Sequence, residues 1–220
     1  MAMCMPPLLC GQAMMTRILA AALLAATSTL TFAQAPSPPV GAGPTQAELV
    51  PVAIETSAGR IVIALDKTHA PITTANFLHY VDTHRFDGEN FYRAMHVGTG
   101  GLIQGGVRTD ARKLYPPIKH EPTTQTGLHN VAGAIAMANA GAGTAQADFF
   151  ILASDIPSLD AKGDEPGFAV FGHVIEGMDV VNKILVSPVS ATNGEGVMKG
   201  QMLEPIIRIV RAERLGPSKP

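Results

Sequence analysis

A mainly β domain is what this chain predicts: an antiparallel barrel or sandwich capped by two helices. Three observations carry that expectation. At least seven short apolar runs recur between residue 52 and residue 212, separated by Gly, Pro and polar loops. Only two segments have helical spacing, and strands and helices do not alternate along the chain, so a doubly wound α/β fold is excluded. Hydrophobic residues make up 46% of the chain, enough to build a core and too many for a disordered body.

In chain order, Val52-Ala53-Ile54 and Ile61-Val62-Ile63 flank Ser57-Ala58-Gly59 and read as a β-hairpin, with Gly59 supplying the permissive turn conformation. Pro71 can open a helix whose apolar positions are Ile72, Ala75, Leu78 and Val81, with Phe77 beside them and an end near Thr83. Strand-like runs follow at 90–97, 101–104, 134–138, 148–153 and 168–174. A second helix is expected over 177–185, where Met178, Val181 and Leu185 share a face. Glu204 to Ala212 reads as the closing strand. The connections at 107–132 and 154–167 are long for structureless loops, and such loops often carry function.

The N-terminal region is of a different kind. Arg17 precedes an uncharged Ala- and Leu-rich run from Ile18 to Phe32, and Thr31-Phe32-Ala33 offers small residues at both recognition positions of a leader peptidase. This is the layout of a signal peptide over residues 1–33, cut after Ala33; the run is shorter than the roughly 20 residues a membrane span needs. Residues 34–51, with Pro36, Pro38, Pro39, Gly41, Gly43 and Pro44, read as an extended linker. The folded domain is expected over 52–215, with 216–220 a tail. Both cysteines, Cys4 and Cys10, precede the cleavage site, so the exported domain must hold together without disulfides. At about 187 residues it is long enough to do so. Export and size together lead us to expect a periplasmic protein with no stable membrane insertion once the leader is removed. The formal charge of −2, with both signs scattered, offers no basic stripe for nucleic acid.

The chemistry-bearing residues fall in four ordered segments: Phe91-Tyr92-Arg93, Gln104-Gly105-Gly106, Met137-Ala138-Asn139-Ala140-Gly141 and Asp148-Phe149-Phe150-Ile151. The seven histidines show no HExxH or other ligand-like spacing, Gly98-Thr99-Gly100-Gly101 is not followed by Gly-Lys-Ser/Thr, and GxSxG does not occur. No metal, phosphate loop or hydrolase triad is therefore expected, and no cofactor. One arginine, one amide and several apolar side chains suit a reaction that breaks no covalent bond. Rotation about an Xaa–Pro bond is such a reaction. Its barrier of roughly 18–20 kcal/mol comes from resonance of the nitrogen lone pair with the carbonyl. A catalyst needs an apolar pocket for the ring and a fixed donor near the prolyl nitrogen, for which a charged, planar guanidinium is well suited.

The four segments, in this order, resemble the cyclophilin family of peptidyl-prolyl isomerases, and the similarity runs from about Val52 to Ala212. Asn76-Phe77, Glu121, Leu159-Asp160, Val170-Phe171-Gly172 and Glu176-Gly177-Met178 add to it. The resemblance implies a closed eight-stranded antiparallel barrel capped by two helices. It also implies a catalytic role for Arg93, assisted by Gln104. Phe91, Tyr92, Leu102, Phe150, Leu159 and Phe168 would line the substrate pocket, with Phe149 left to the core because strand alternation allows only one of the pair to face outward. Ala138, Asn139 and Ala140 would pair with the substrate backbone as an added strand. Asp148 stands where the family has a peptide-binding glutamine and would favour a basic substrate neighbour. Tyr92 stands where histidine is commoner, Gly101 where a pocket phenylalanine is usual, and Leu102 where methionine is usual. The plainer reading of Gln104 is a strand residue satisfied by backbone, with Gly105-Gly106 marking a bulge. The expected partners are proline-containing polypeptides, as unfolded or partly folded exported proteins. The alternative function is a proline-peptide-binding chaperone or scaffold with little turnover.

Overall fold

The computed structural model describes residues 47–216, so the signal-peptide reading and most of the linker lie outside the described residues. Nine strands form one sheet: β1 (Leu49–Thr56), β2 (Gly59–Asp66), β3 (Asn90–Val97), β4 (Gly100–Gly106), β5 (Ala134–Met137), β6 (Phe149–Leu152), β7 (Val170–Glu176), β8 (Val189–Ser190) and β9 (Met202–Arg214). The order is β1-β2-β7-β5-β6-β4-β3-β9-β8, and β1 also pairs with β9. That last pairing closes eight strands into an antiparallel barrel and leaves the two-residue β8 as an outlier on β9. Closure removes the open sheet edges that would otherwise invite aggregation. Strand β1 begins at Leu49, ahead of the Val52 start read from the sequence, because Leu49 and Val50 already pair with Asp66 and Leu65.

Helices α1 (Pro71–Asp82) and α3 (Met178–Leu185) are the two expected, and a single extra turn, α2 (Thr123–Thr126), interrupts the long connection before β5. Helix α3 buries Val181, Ile184 and Leu185. Helix α1 is rotated from the expected face: Ile72 and Ala75 are exposed, while Thr73, Thr74, Asn76, Phe77, Leu78, Tyr80 and Val81 are buried. The polar members of that face explain the rotation. Thr74 Oγ1 donates to the Asp66 carbonyl at 3.1 Å, and Asn76 Nδ2 to the Gln146 carbonyl at 2.7 Å. Buried Glu121 accepts from the N–H of Ile72 at 3.1 Å, and from the N–H and hydroxyl of Thr73 at 2.7 Å each. A carboxylate from another part of the chain thus satisfies the free donors of the first turn and faces the positive end of the helix dipole. Phe77 then reaches the barrel interior and meets the edge of Phe149, with ring centroids 5.2 Å apart.

Two apolar clusters sit on opposite faces of the sheet. The interior cluster takes Ile54, Ile63, Phe77, Phe91, Ala94, Ile103, Ile135, Phe149 and Phe171 among others. A smaller cluster on the outer face takes Leu102, Ala136, Phe150, Leu152 and Val170, with Met95, Leu159 and Phe168 packed against it. Neighbouring residues along β4, β5 and β6 alternate between the two, as the period-two geometry of a strand requires. The outer cluster is where the site lies.

Candidate active site

A register shift in β3 builds the centre of the site. Phe91 pairs with Gly105 and Arg93 with Gln104, so Tyr92 is an extra residue with no partner across the ladder. Phe91 and Ala94 point to the interior cluster, and Tyr92 and Arg93 therefore share the outer face. The bulge lies in β3 at Tyr92, not at Gly105-Gly106 as read from the sequence. Those glycines serve close approach instead: a Cβ on Gly106 would stand 2.2 Å from Asp148 Oδ1 and 2.6 Å from its Cα, and one on Gly105 would stand 2.9 Å from the Asn90 carbonyl oxygen.

The shared face carries a chain of hydrogen bonds. Arg93 donates from Nη1 to Gln104 Oε1 at 2.8 Å, from Nε to Gln201 Oε1 at 2.8 Å, and from Nη2 to Met95 Sδ at 3.3 Å. Gln104 Nε2 donates to the Tyr92 hydroxyl at 2.7 Å, and that hydroxyl donates to Asp148 Oδ2 at 2.9 Å. Arg108 covers the end of the chain, its guanidinium 4.6 Å above the Tyr92 ring and 3.9 Å from Asp148 Oδ2. Burial, and then the charge of Asp148, push the Tyr92 phenol up, so it stays a protonated donor. Burial lowers the Arg93 pKa without discharging it. Asp148 is raised, first by burial, against the lowering effects of the Tyr92 hydroxyl and Arg108. Its Oδ1 is buried with no partner among the described residues.

Two cavities open on this face. The smaller, about 260 Å³, is lined by Arg93, Met95, Leu102, Gln104, Ala138, Asn139, Phe150, Leu159, Phe168 and Val197. Phe150 and Phe168 meet edge to face, with centroids 5.3 Å apart. The result is an apolar pocket with a guanidinium and an amide at its lip, a fit for a pyrrolidine ring whose nitrogen faces the charge. The larger cavity, about 580 Å³, lies on the other side of Arg93 and Gln104 and is walled by Arg108, Ala138, Asn139, Ala140, Gln146 and Asp148 among others. Between the two, Ala138 N–H donates to the Asp148 carbonyl and Ala140 N–H to Thr144 Oγ1, while among the described residues neither the N–H nor the C=O of Asn139 has a backbone partner. The Asn139 side chain is occupied locally, accepting from Gly141 N–H at 3.0 Å.

Most of the residues read from the sequence therefore meet on one face: Arg93, Gln104, Leu102, Ala138, Asn139, Phe150, Leu159 and Phe168 around the smaller cavity, and Ala140 and Asp148 at the larger. Phe91 does not. It is fully buried in the interior, edge-on to Phe149 at 5.6 Å, because the bulge turns only its two successors outward. Tyr92 lines neither cavity; its hydroxyl works behind the site, on Gln104 and Asp148. Asp148 turns its charge to Tyr92 and Arg108, which weakens the expectation that it receives a basic substrate residue. Met95, Val197 and Gln201 beside Arg93 went unread, as did Arg108 and Gln146 at the larger cavity. Met95 was within reach of the pattern, lying two residues beyond Arg93 on the same strand. It supplies pocket wall that a side chain at Gly101 could not, since a Cβ there would stand 2.0 Å from the Met95 carbonyl oxygen. Val197 and Gln201 arrive from a loop a hundred residues downstream and left no local signal. No group of three or more His, Cys, Asp or Glu that could hold a metal occurs among the described residues.

Comparison with known proteins agrees with this geometry. Residues 51–214 match the family described as cyclophilin type peptidyl-prolyl cis-trans isomerase/CLD. Peptidyl-prolyl cis-trans isomerase A of Dickeya dadantii is 38% identical over 137 residues, 60% of this chain and 70% of that protein. Peptidyl-prolyl cis-trans isomerase B of Escherichia coli is 37% identical over 139 residues, 60% of this chain and 82% of that protein. The crystal structure of a Cryptosporidium parvum cyclophilin type isomerase superposes with a TM-score of 0.64 at 22% identity, covering 79% of this chain and 100% of that one. A second structure of that protein, determined in the presence of the dipeptide Ala-Pro, gives 0.61 at 21% identity, covering 76% of this chain and 99% of that one. With a family match across the whole barrel, the chain belongs to the cyclophilin-type peptidyl-prolyl cis-trans isomerases.

Proposed function

We propose that the isomerase works on proline-containing segments of exported polypeptides, with Arg93 as its catalytic residue. The observation that carries this reading is the fixed guanidinium at the lip of an apolar pocket about 260 Å³ in volume. The proline ring enters between Phe150, Leu102, Leu159 and Phe168. Arg93 then hydrogen-bonds toward the prolyl nitrogen as that atom becomes pyramidal, drawing its lone pair out of conjugation and lowering the rotational barrier. Gln104, itself held by Tyr92, fixes Arg93 and offers an amide to the substrate carbonyl. The free backbone groups of Asn139 pair with the peptide main chain, while the small side chains of Ala138 and Ala140 let it approach. No bond is made or broken, and no cofactor takes part.

An assay of Xaa–Pro isomerisation in a short peptide tests the reading. Arg93→Ala should lower kcat about 100-fold, the scale of losing one preorganised charge-stabilising donor, with the fold intact by thermal melting. Equal acceleration by wild type and variant would remove Arg93 from the chemistry, and no acceleration by either would leave the groove as a peptide-binding scaffold. The leader-like N-terminus supports a periplasmic site of action on newly exported chains, where prolyl isomerisation can limit folding. Cell fractionation, with N-terminal sequencing of the mature protein, checks that part. A first residue of Gln34 is expected, and retention of residues 1–33 in the cytoplasm would overturn it.

A further inference from the structure

We propose that Gln201 is a positioning residue for the isomerase reaction: from the connection between β8 and β9 it sets the plane of the Arg93 guanidinium and ties it to the rim of the substrate groove. The proposal rests on the reading of Arg93 as the catalytic donor.

Gln201 lies 108 residues from Arg93, yet both its amide atoms and both its backbone groups are engaged. Oε1 accepts from Arg93 Nε at 2.8 Å, and Nε2 donates to the Val197 carbonyl at 2.8 Å. Its own carbonyl accepts from Ala94 N–H at 2.9 Å, directly beside Arg93, and its N–H donates to the Met198 carbonyl at 3.1 Å. A guanidinium held at Nη1 by Gln104 and only weakly at Nη2 by the Met95 thioether could still swing about its stem. An amide acceptor at Nε removes that freedom and leaves one N–H each of Nη1 and Nη2 to face substrate.

The same amide holds the groove. Val197 is 84% exposed, so burial does not keep it in place, but it lines both cavities. Its loop turns on glycines: Gly194, Gly196 and Gly200 all have positive φ, and a Cβ on Gly194 would stand 2.4 Å from the Met198 carbonyl oxygen. Such a loop needs a fastening, and the bond from Gln201 Nε2 is one. Gln201 thus joins the donor that acts on the prolyl nitrogen to the wall that meets the peptide.

The test is steady-state kinetics on an Xaa–Pro peptide with Gln201→Leu, Gln201→Glu and Arg93→Ala. Gln201→Leu, which loses both side-chain bonds, should lower kcat about tenfold with KM changed less, since Leu102, Phe150, Leu159 and Phe168 of the ring pocket are untouched and only the exposed Val197 is loosened. Gln201→Glu keeps an acceptor but sets an anion against the guanidinium that must face the prolyl nitrogen. Its kcat relative to wild type should be low near pH 8 and begin to recover only below the ordinary carboxyl value of about 4, because the guanidinium beside it holds the carboxyl ionised and the protonated acid then resembles the amide. A loop staple with no part in the reaction would give no such pH-dependent ratio. Wild-type kcat in Gln201→Leu, or a ratio for Gln201→Glu that is flat with pH, overturns the proposal. If Arg93→Ala loses activity while Gln201→Leu does not, only the role of Gln201 falls; if Arg93→Ala keeps full activity, the catalytic reading falls with it.

Discussion

Replacing Tyr92 by Phe deletes one oxygen and tests the chain of bonds behind Arg93. The hydroxyl donates to Asp148 Oδ2 at 2.9 Å and accepts from Gln104 Nε2 at 2.7 Å. A hydrogen bond to a charged group contributes about 1.5–3 kcal/mol, and a neutral one about 0.5–1.5. The variant should therefore lose about 2–4 kcal/mol at neutral pH, most of it through Asp148. That carboxylate already has Oδ1 buried without a partner among the described residues, and in the variant only Arg108, 3.9 Å away, faces Oδ2. The pH dependence carries the sign. Asp148 is raised in the fold, so its ionised form costs stability as pH rises from the ordinary carboxyl range through the folded value. The Tyr92 hydroxyl opposes that shift, and removing it must raise Asp148 further. The cost of Tyr92→Phe should then be larger at pH 7 than at about pH 4, where more of Asp148 is protonated. Urea denaturation at both pH values measures this, with Asp148→Asn as the second arm. In the Asn background Tyr92→Phe should cost less at pH 7 and lose its pH dependence. A cost equal at both pH values in both backgrounds would show that Asp148 does not use the hydroxyl, and the relay would be wrong.

Further outcomes follow from neighbouring residues. Phe149→Ala should cost about 3–5 kcal/mol of stability with little loss of kcat/KM per folded molecule, whereas Phe150→Ala, also a buried ring, should destabilise and in addition lower kcat/KM per folded molecule about tenfold; denaturation and peptide kinetics on the pair separate core from pocket. Gly101→Phe, which would introduce the family's usual pocket residue, should destabilise the fold and lower activity, because Gly101 has φ +149° and its Cβ direction runs into the Met95 carbonyl. Glu89 gives the acid limb. Burial works to raise this carboxyl, but bonds from Lys113, Thr109 and the N–H groups of Arg108 and Thr109 outweigh it, and the folded value is lowered. Its contribution is present above the unfolded pKa and is lost as pH falls through the folded one. The stability gap between wild type and Glu89→Gln should accordingly narrow between about pH 6 and pH 3; a gap that widens would contradict the assignment.

The barrel was legible because its strands are short apolar runs in a fixed rhythm, and Ser57-Ala58-Gly59 marks the first hairpin with a residue chosen for its backbone. Alternation also separated Phe149 from Phe150, since a strand offers only two faces. What stayed hidden depends on departures from that rhythm or on distant groups. Phe91 reads as a pocket residue if β3 is regular. With the extra residue at Tyr92, it turns inward while Tyr92 and Arg93 come to lie side by side. Nothing in Asn90-Phe91-Tyr92-Arg93 announces a bulge, which arises from pairing with both β4 and β9. Helix α1 misled in a similar way. Ile72 and Ala75 fit an apolar stripe, but Thr73, Thr74 and Asn76 have partners at Glu121, Asp66 and Gln146, and three satisfied polar groups hold the helix in a rotation that hydrophobicity alone would not choose. The site shows the same division. The resemblance carried by four short motifs supplied its arginine and, Phe91 apart, its apolar wall. The orientation of that arginine is set by Gln104 across the sheet and by Gln201 from the far end of the chain, so the part of the chemistry that depends on angle is the part that sequence order conceals.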